Sequence, residues 1–575
     1  MIRENLNYIE KIFEKNEKFS LIIYFFFSII ISILETIGVG IIPGFFSILI
    51  DKNIIINKLD FNENLQILFI NFFSSEKYFF FLCFGIIIFF LIKSLIILSF
   101  NFFDAKLTRN LKVSISSRLF KIYINKDYLF HSVNNPIILG RNISSEVNIA
   151  VSHVKSFLLI IKESIQLILI FFLLLFANLN ITISIFVALL VLSLLYLKLF
   201  GKNLKQKSEI AYHERGVKSK IIHQILNSIV EVKIYKKEIF ILKQFIKSIK
   251  KEFRSIMFLD IVSKIPKIFI EFLIISLVCS VIFFSVQIGY NMQALISFVA
   301  LYFFAALRAY PSINGILLQK MALTHGKISI NNLSKEFRKT NLNKNQIPQK
   351  RFDFKNNIEF KDVSFNYPDR KDILMKANIK IFKNTVLGIK GETGSGKSTF
   401  IKLLMSLLEP NSGTIEIDDI PLKNIQESWQ EKISYVPQNF YILDDTILQN
   451  IVFSEEKTRI NLDKISEIIK FCELNNLIKE LPNGLETIVG PNGKRLSGGQ
   501  SQRLAMARAL YQERDLMILD EATNALDEET EKKILKNILN IRKNKTIIII
   551  SHKQSVLDRC DQIIEFKYNE ILKVN

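Results

Sequence analysis

The chain has 575 residues, room for two or three domains, and 49% of it is hydrophobic, including 50 Phe. That apolar excess, concentrated before residue 320, excludes an ordinary soluble protein of this length. The net charge of +21 invites a nucleic-acid partner, but Lys, Asn, Ile and Phe are abundant throughout, so where the charge lies matters more than its sum.

Residues 1–18 are polar and charged, without the short apolar core and cleavage pattern of a removable signal peptide. Residues 19–50 then stay apolar for about 32 positions, more than the roughly 20 that a helix needs to span a bilayer. Residues 51–77 are mixed, with Leu65, Ile67, Leu68 and Phe72 interspersed, and suit a short amphipathic helix on the outer surface. Further spans are expected at 78–103, 154–177, 181–200, 265–287 and 294–318, six in all, with a tight hairpin at Asn178, Leu179 and Asn180. Between the second and third spans, and between the fourth and fifth, lie long polar connections. The connection 201–262 carries Lys202, Lys205, Lys207, Lys218, Lys220, Lys233, Lys236 and Lys237, while 104–153 carries Lys106, Arg109, Lys112, Arg118, Lys121 and Lys126. Basic loops stay in the cytosol, so both termini are expected there. Much of the +21 then reflects topology, and no nucleic-acid partner is expected.

Ionisable residues sit inside these apolar runs: Glu35, Lys93, Lys264, Lys267, Glu271 and Arg308. Charge at bilayer depth is costly and usually faces a partner or a wet cavity. Ser28, Ser32 and Glu35 share one helix face within about 60°, and Lys264, Lys267 and Glu271 share another within about 100°. A solvated cytosolic extension is the plainer reading, favoured for Lys162 and Glu163. The four cysteines, Cys83, Cys279, Cys472 and Cys560, show no metal-type spacing and read as reduced thiols.

Residues 327–350 are polar and rich in Asn and Lys, as in a linker, and the first strand of a C-terminal domain is expected at 358–367. GETGSGKS at 391–398 follows an apolar strand-like run (385–389) and precedes a helix-like one (399–408). A Gly-rich turn there leaves backbone N–H groups free to cradle a phosphate, and Gly391, Gly394 and Gly396 allow the wrap. Lys397 places a positive charge near the terminal phosphates and Ser398 can ligate Mg²⁺. LMILDE (516–521) is an apolar run ending in two carboxylates, as in a buried parallel strand whose end meets the ligand. Asp520 would hold Mg²⁺ through water and Glu521 would polarise the attacking water. TIIIISH (546–552) ends a second buried strand at His552, a donor for the γ-phosphate. Gln438 follows a third short strand and would sense Mg²⁺ and water. LSGGQ (496–500) supplies a second anion nest ahead of a helix at 501–510.

In this order these motifs resemble the nucleotide-binding domain of an ABC transporter, and LSGGQ is specific to that family. The resemblance implies an ATP site made of Gly391, Glu392, Thr393, Gly394, Ser395, Gly396, Lys397, Ser398 and Thr399, with Tyr367 stacking on adenine. Ser398, Gln438 and Asp520 hold Mg²⁺, and Glu521, Gln438 and His552 are the catalytic set. It further implies that two such domains sandwich two ATPs, each completed by Ser497, Gly498, Gly499 and Gln500 of the other chain, with Asp527 in the interface loop. Three departures are visible: Asn524 where Ser is commoner, Lys553 where Arg often follows His, and Pro491 in place of an acidic residue.

Short outer turns alternating with long inner connections resemble the six-helix half of an ABC exporter, in which a coupling helix closes each inner connection; residues 125–130 and 233–240 match. The implied fold class is an all-α six-helix transmembrane domain (1–330), a linker (331–355) and an α/β P-loop ABC ATPase domain (356–575). Because every ATPase motif is intact on one chain, a second copy is the expected partner. More narrowly, ILETIGVGIIPGF, Lys93, KIPKIFIE and LRAYPSIN look similar to PglK-type bacterial flippases of lipid-linked oligosaccharide, in which basic residues facing the cavity attract a pyrophosphate head. Lys93, Lys267 and Arg308 match those positions, with Glu35 nearby, and Gly315 stands where another base is expected. The implied location is the bacterial inner membrane, among membrane lipids. An exporter of drugs or of another lipid, lipid A-like, is the alternative reading, and a soluble ABC ATPase is a remote one.

Overall fold

Aliphatic and aromatic runs of this length fold as helices in lipid, because a helix satisfies its own backbone where no water can. The computed structural model describes residues 2–50, 78–177, 179–287, 292–338, 352–367, 373–453, 460–541, 544–567 and 570–573. The amphipathic segment expected at 51–77 lies outside them, as does Asn178 of the expected hairpin. The chain divides into two compact bodies, Met1–Lys126 with Asn134–Leu342, and Asp127–Val133 with Asn343–Asn575.

The first body is helical. A short α1 (Ile2–Ile12) precedes α2 (Lys15–Ile50) and α3 (Tyr78–Ile124). After α4 (Tyr128–Val133), which belongs to the second body, come α5 (Pro136–Arg141), α6 (Val147–Ala177) and α7 (Leu179–Asn227). The short α8 (Ile229–Ile234), then α9 (Glu238–Gln287) and α10 (Met292–Arg338), complete it. Among the described residues, four stretches are long and apolar enough to cross a membrane: Lys15–Ile48, Tyr78–Ile124, Pro136–Ala177 and Val299–Thr324. At 47, 49 and 50 residues, α3, α7 and α9 are about 70–75 Å long, more than twice a hydrocarbon core, so each extends well into water.

The polar ends are zipped by charge. Glu252, buried on α9, meets Lys218 at 2.6 Å and Arg215 at 3.4 Å on α7. Glu214 on α7 accepts from Ser248 at 2.9 Å and from Lys251 at 3.3 Å. Helices α6 and α10 pack along much of their length. They approach closely at Gly326, where a Cβ would stand 2.8 Å from the Cβ of His153. His153 Nε2 lies 2.9 Å from Asn5 Oδ1, which fastens α1 to the same joint.

Two expectations about helix ends shift. Helix α10 continues to Arg338, eight residues into the stretch read as a linker from 331, because polar residues alone do not stop a helix and no Gly or Pro intervenes. The inner connections carry the short helices α4, α5 and α8, of which α4 and α8 overlap the candidates 125–130 and 233–240 only in part; Tyr235 to Lys237 is the turn before α9. Within the second body, Lys402 lies 5.1 Å from the Tyr128 ring centre.

That body holds two sheets. β1 (Asn357–Phe365), β2 (Leu374–Phe382), β4 (Ser412–Ile417) and β5 (Ile420–Pro421) form an antiparallel sheet in the order β2-β1-β4-β5. β3 (Val386–Gly391), β6 (Ile433–Val436), β7 (Leu516–Asp520), β8 (Thr546–Ile550), β9 (Gln562–Lys567) and β10 (Glu570–Lys573) form the other. Its order is β10-β9-β3-β8-β7-β6, parallel except at β10. β7 and β8 are buried at every position, which is why they read as unbroken apolar runs. Phe400, on α11 (Lys397–Leu404), joins the sheets by packing on Phe360 at 4.6 Å and Phe566 at 5.5 Å. Asp418 and Asp419, both at positive φ, make the two-residue turn between β4 and β5. Asp418 also accepts the consecutive N–H groups of Lys355, Asn356 and Asn357 at 2.6–2.9 Å.

Candidate functional site

The parallel strands deliver the site at their C-terminal ends, where open α/β sheets bind ligands. β3 ends in Gly391, at φ +150° and so close to β9 that a Cβ would meet Phe566 O at 2.6 Å. From there Glu392, Thr393, Gly394, Ser395 and Gly396 turn into the N-terminus of α11, whose first residue is Lys397. Lys397 is 7% exposed, and its ammonium donates to the carbonyls of Gly391 (2.6 Å) and Glu392 (2.8 Å). Burial lowers its pKa, against the pull of the Glu521 and Asp520 carboxylates. Ser398 is exposed and Thr399 is buried.

Next but one along the sheet, β7 ends in Asp520, and burial raises its pKa although the Tyr435 hydroxyl donates to it at 3.2 Å. The Asp520 carboxylate and the Ser398 hydroxyl offer oxygen donors of the kind Mg²⁺ takes. Glu521 then turns out of the strand at φ 51°. Its Oε2 accepts from Gln438 Nε2 and from Asn524 Nδ2, both at 2.8 Å, and its Oε1 lies 3.4 Å from His552 Nε2. Lys397, Gln438, Asp520, Glu521 and His552, five residues picked from sequence, are thus gathered at one sheet edge.

The second nest opens α12 (Gly498–Tyr511), with Ser497 as its N-cap and Gln500 closing a capping box. Gly499 lies so close to Ala525 that a Cβ would stand 2.9 Å from that carbonyl. Gln502 clamps the same loop, donating to Glu521 O (3.2 Å) and accepting from Ala525 N–H (3.0 Å). Asp527 caps α13 (Glu528–Asn540), and the Thr530 N–H that it accepts holds its pKa low. Tyr367 packs edge-on to Phe365 at 5.0 Å. Gln502, Asn524 and Tyr435 were not assigned site roles from sequence. Asn524 stood out only as a departure, and the amide three residues after Glu521 was the one available signal.

In the helical body, Arg308 pairs with Glu35 across helices and donates to Gln166 Oε1 at 3.3 Å. Lys93 does not join them. Its amine sits above Gly38, 3.0 Å from where a Cβ would be, and 5.1 Å from the Phe90 ring centre. Lys162 and Glu163 pair at 3.3 Å and are mostly buried, unlike the solvated extension expected for them. The Glu163 side chain occupies the space over Gly315, where a Cβ would stand 3.4 Å away. The side chain of Lys267 lies outside the described residues, whereas Glu271 and Lys264 are exposed.

Fold and site define the class: a helical transmembrane domain followed by an α/β ABC-type ATPase domain. Residues 374–524 match the family model described as "ABC transporter", which puts an ATP-binding domain of that kind in the chain. A bacterial Atm1-family ABC exporter, solved with ATP bound, superimposes with a TM-score of 0.72 over 95% of this chain and 93% of that one, at 18% identity, a likeness of fold. Among curated relatives, the ATP-dependent lipid A-core flippase of Wigglesworthia glossinidia brevipalpis is 38% identical over 218 residues, 38% of this chain and 37% of its own. ABC transporter B family member 14 of Arabidopsis thaliana is 34% identical over 273 residues, 47% of this chain and 21% of its own. The matched stretch therefore spans well under half the length of these relatives.

Proposed function

We propose that this chain is one half of an ATP-driven exporter or flippase that moves an amphipathic lipid across the bacterial inner membrane, working with a second copy of itself. One observation carries the ATPase reading: Glu521, at the end of a buried strand beside Asp520, is oriented by Gln438 and faces His552. The loop 391–397 binds the phosphates of ATP, with Lys397 neutralising the terminal ones. Ser398, Asp520 and Gln438 would hold Mg²⁺, which supplies charge neutralisation on the phosphates. Glu521 takes the proton of the attacking water, and His552 donates to the γ-phosphate. Glu521→Gln removes only water activation, so ATP binding should persist while steady-state hydrolysis falls by orders of magnitude. Hydrolysis at the wild-type rate would exclude Glu521 as the base.

For cargo, the reading is a lipid with an anionic, phosphorylated, sugar-bearing head: a lipid-linked oligosaccharide or polysaccharide precursor, with a lipid A-like molecule as the second reading. Support comes from Arg308 and Lys93 within apolar helices, and the lipid A-core flippase relatives favour the second cargo as much as the first. Glu35 neutralises Arg308, so an anionic head has to compete with that carboxylate. Arg308→Gln alone strands Glu35 and should cost about 3–5 kcal/mol, seen as lost expression, whereas Glu35→Gln with Arg308→Gln restores folding. In proteoliposomes, the folded double variant should fail to flip either glycolipid while keeping basal ATPase activity. Normal flipping would remove Arg308 from the cargo path.

A further inference from the structure

Glu521 is shaped from within its own chain by more than the residues already given a role. Its backbone is at φ 51°, a conformation that non-glycine residues seldom adopt and that neighbouring structure must hold in place. Gln502, 4% exposed on α12, supplies that hold by clamping both ends of the loop from Glu521 to Ala525. Inside the clamped loop, the Asn524 amide turns back and donates to Glu521 Oε2, the same oxygen that Gln438 engages from the opposite side of the sequence. Two amides on one carboxylate oxygen fix the side-chain torsions and leave Oε1 turned toward His552. A serine at 524 has neither the reach nor the two-hydrogen amide to do this.

We propose that Asn524 is a positioning residue for hydrolysis: held in place by Gln502, it fixes the carboxylate of Glu521 in the orientation that presents Oε1 to the attacking water. This rests on the ATPase reading above, and the cost of losing the contact is one of orientation. An ångström of misplacement in such a group lowers turnover by about one to two powers of ten while binding is untouched.

The test uses the full-length chain in lipid nanodiscs with Mg²⁺ and ATP. Asn524→Ala should lower kcat about tenfold and leave KM for ATP within about twofold. Asn524→Asp, which sets one carboxylate against another, should lose at least as much. Asn524 is exposed, so neither variant endangers folding, and nucleotide binding verifies this. In a Glu521→Gln background, single-turnover hydrolysis should be the same with Asn524 or with Ala at that position, because the contact acts only through Glu521. A kcat loss below threefold, a loss carried by KM, or a further loss in the Glu521→Gln background overturns the proposal. Wild-type hydrolysis by Glu521→Gln alone would instead exclude Glu521 as the base, the assignment on which the proposal stands.

Discussion

Asp520 illustrates how a functional position costs stability. Burial raises its carboxyl above the ordinary value near 4, and the Tyr435 hydroxyl offsets this only in part. Between the ordinary and the raised pKa the folded chain holds a proton that the unfolded chain has released. Stability therefore falls as pH rises through that window, and the full cost persists above it. Asp520→Asn removes the charge but keeps an acceptor for Tyr435. At pH 7 the melting midpoint of the variant should exceed that of wild type, and the gap should close as the pH is lowered toward 4; Mg²⁺-dependent hydrolysis should be lost. A variant that melts at or below wild type at pH 7 would mean that burial is not what holds this pKa up. Asp520 itself was legible in the sequence because a buried parallel strand ending in acid has few other readings. Gln502 was not, since its contact with the Glu521 loop depends on a side chain reaching across 19 positions.

At the scale of elements, the joint between α6 and α10 is tightly constrained at Gly326. A side chain at 326 has to displace His153, which is buried and held by Asn5. Gly326→Leu should cost about 1–3 kcal/mol and reduce detergent-stable protein on thermal challenge. Gly201→Ala on α7 meets nothing within 4 Å and should be neutral or slightly stabilising. Equal behaviour of the two variants would show that the joint has slack. Apolar run length located the long helices of the described residues but not where their polar ends stop. The extra turns of α10 past residue 330 are held by Leu333 and Ser334, both buried, a tertiary effect that composition does not carry.

For the whole molecule, the order of apolar runs and phosphate-binding motifs already described two bodies of different class. The pairing inside the membrane was less legible: Arg308 read as an available cation, and Glu35 on another helix claims it, a contact between residues 273 positions apart. The two nests, at 391–397 and 497–500, point to assembly. If each ATP needs one nest from each copy, Lys397→Ala and Ser497→Arg chains, inactive alone, should regain a substantial share of hydrolysis when mixed, since one composite site then has both halves intact. Mixed chains that stay inactive while forming dimers would argue for sites that work only in pairs. Activity of Ser497→Arg alone would sever the second nest from catalysis.

Residues 352–357 have a use that their position ahead of the first strand conceals. Phe352 and Phe354 cover Trp429 at 6.4 and 5.5 Å, Lys383 reaches the Phe354 carbonyl, and Asp418 is satisfied by three consecutive N–H groups just beyond. A recombinant fragment cut at the start of β1 would lay an indole open to solvent and leave a carboxylate short of its donors. The cleavage point that yields a soluble ATPase fragment therefore lies upstream of Phe352, and fluorescence of the single tryptophan reports whether the cut respected it.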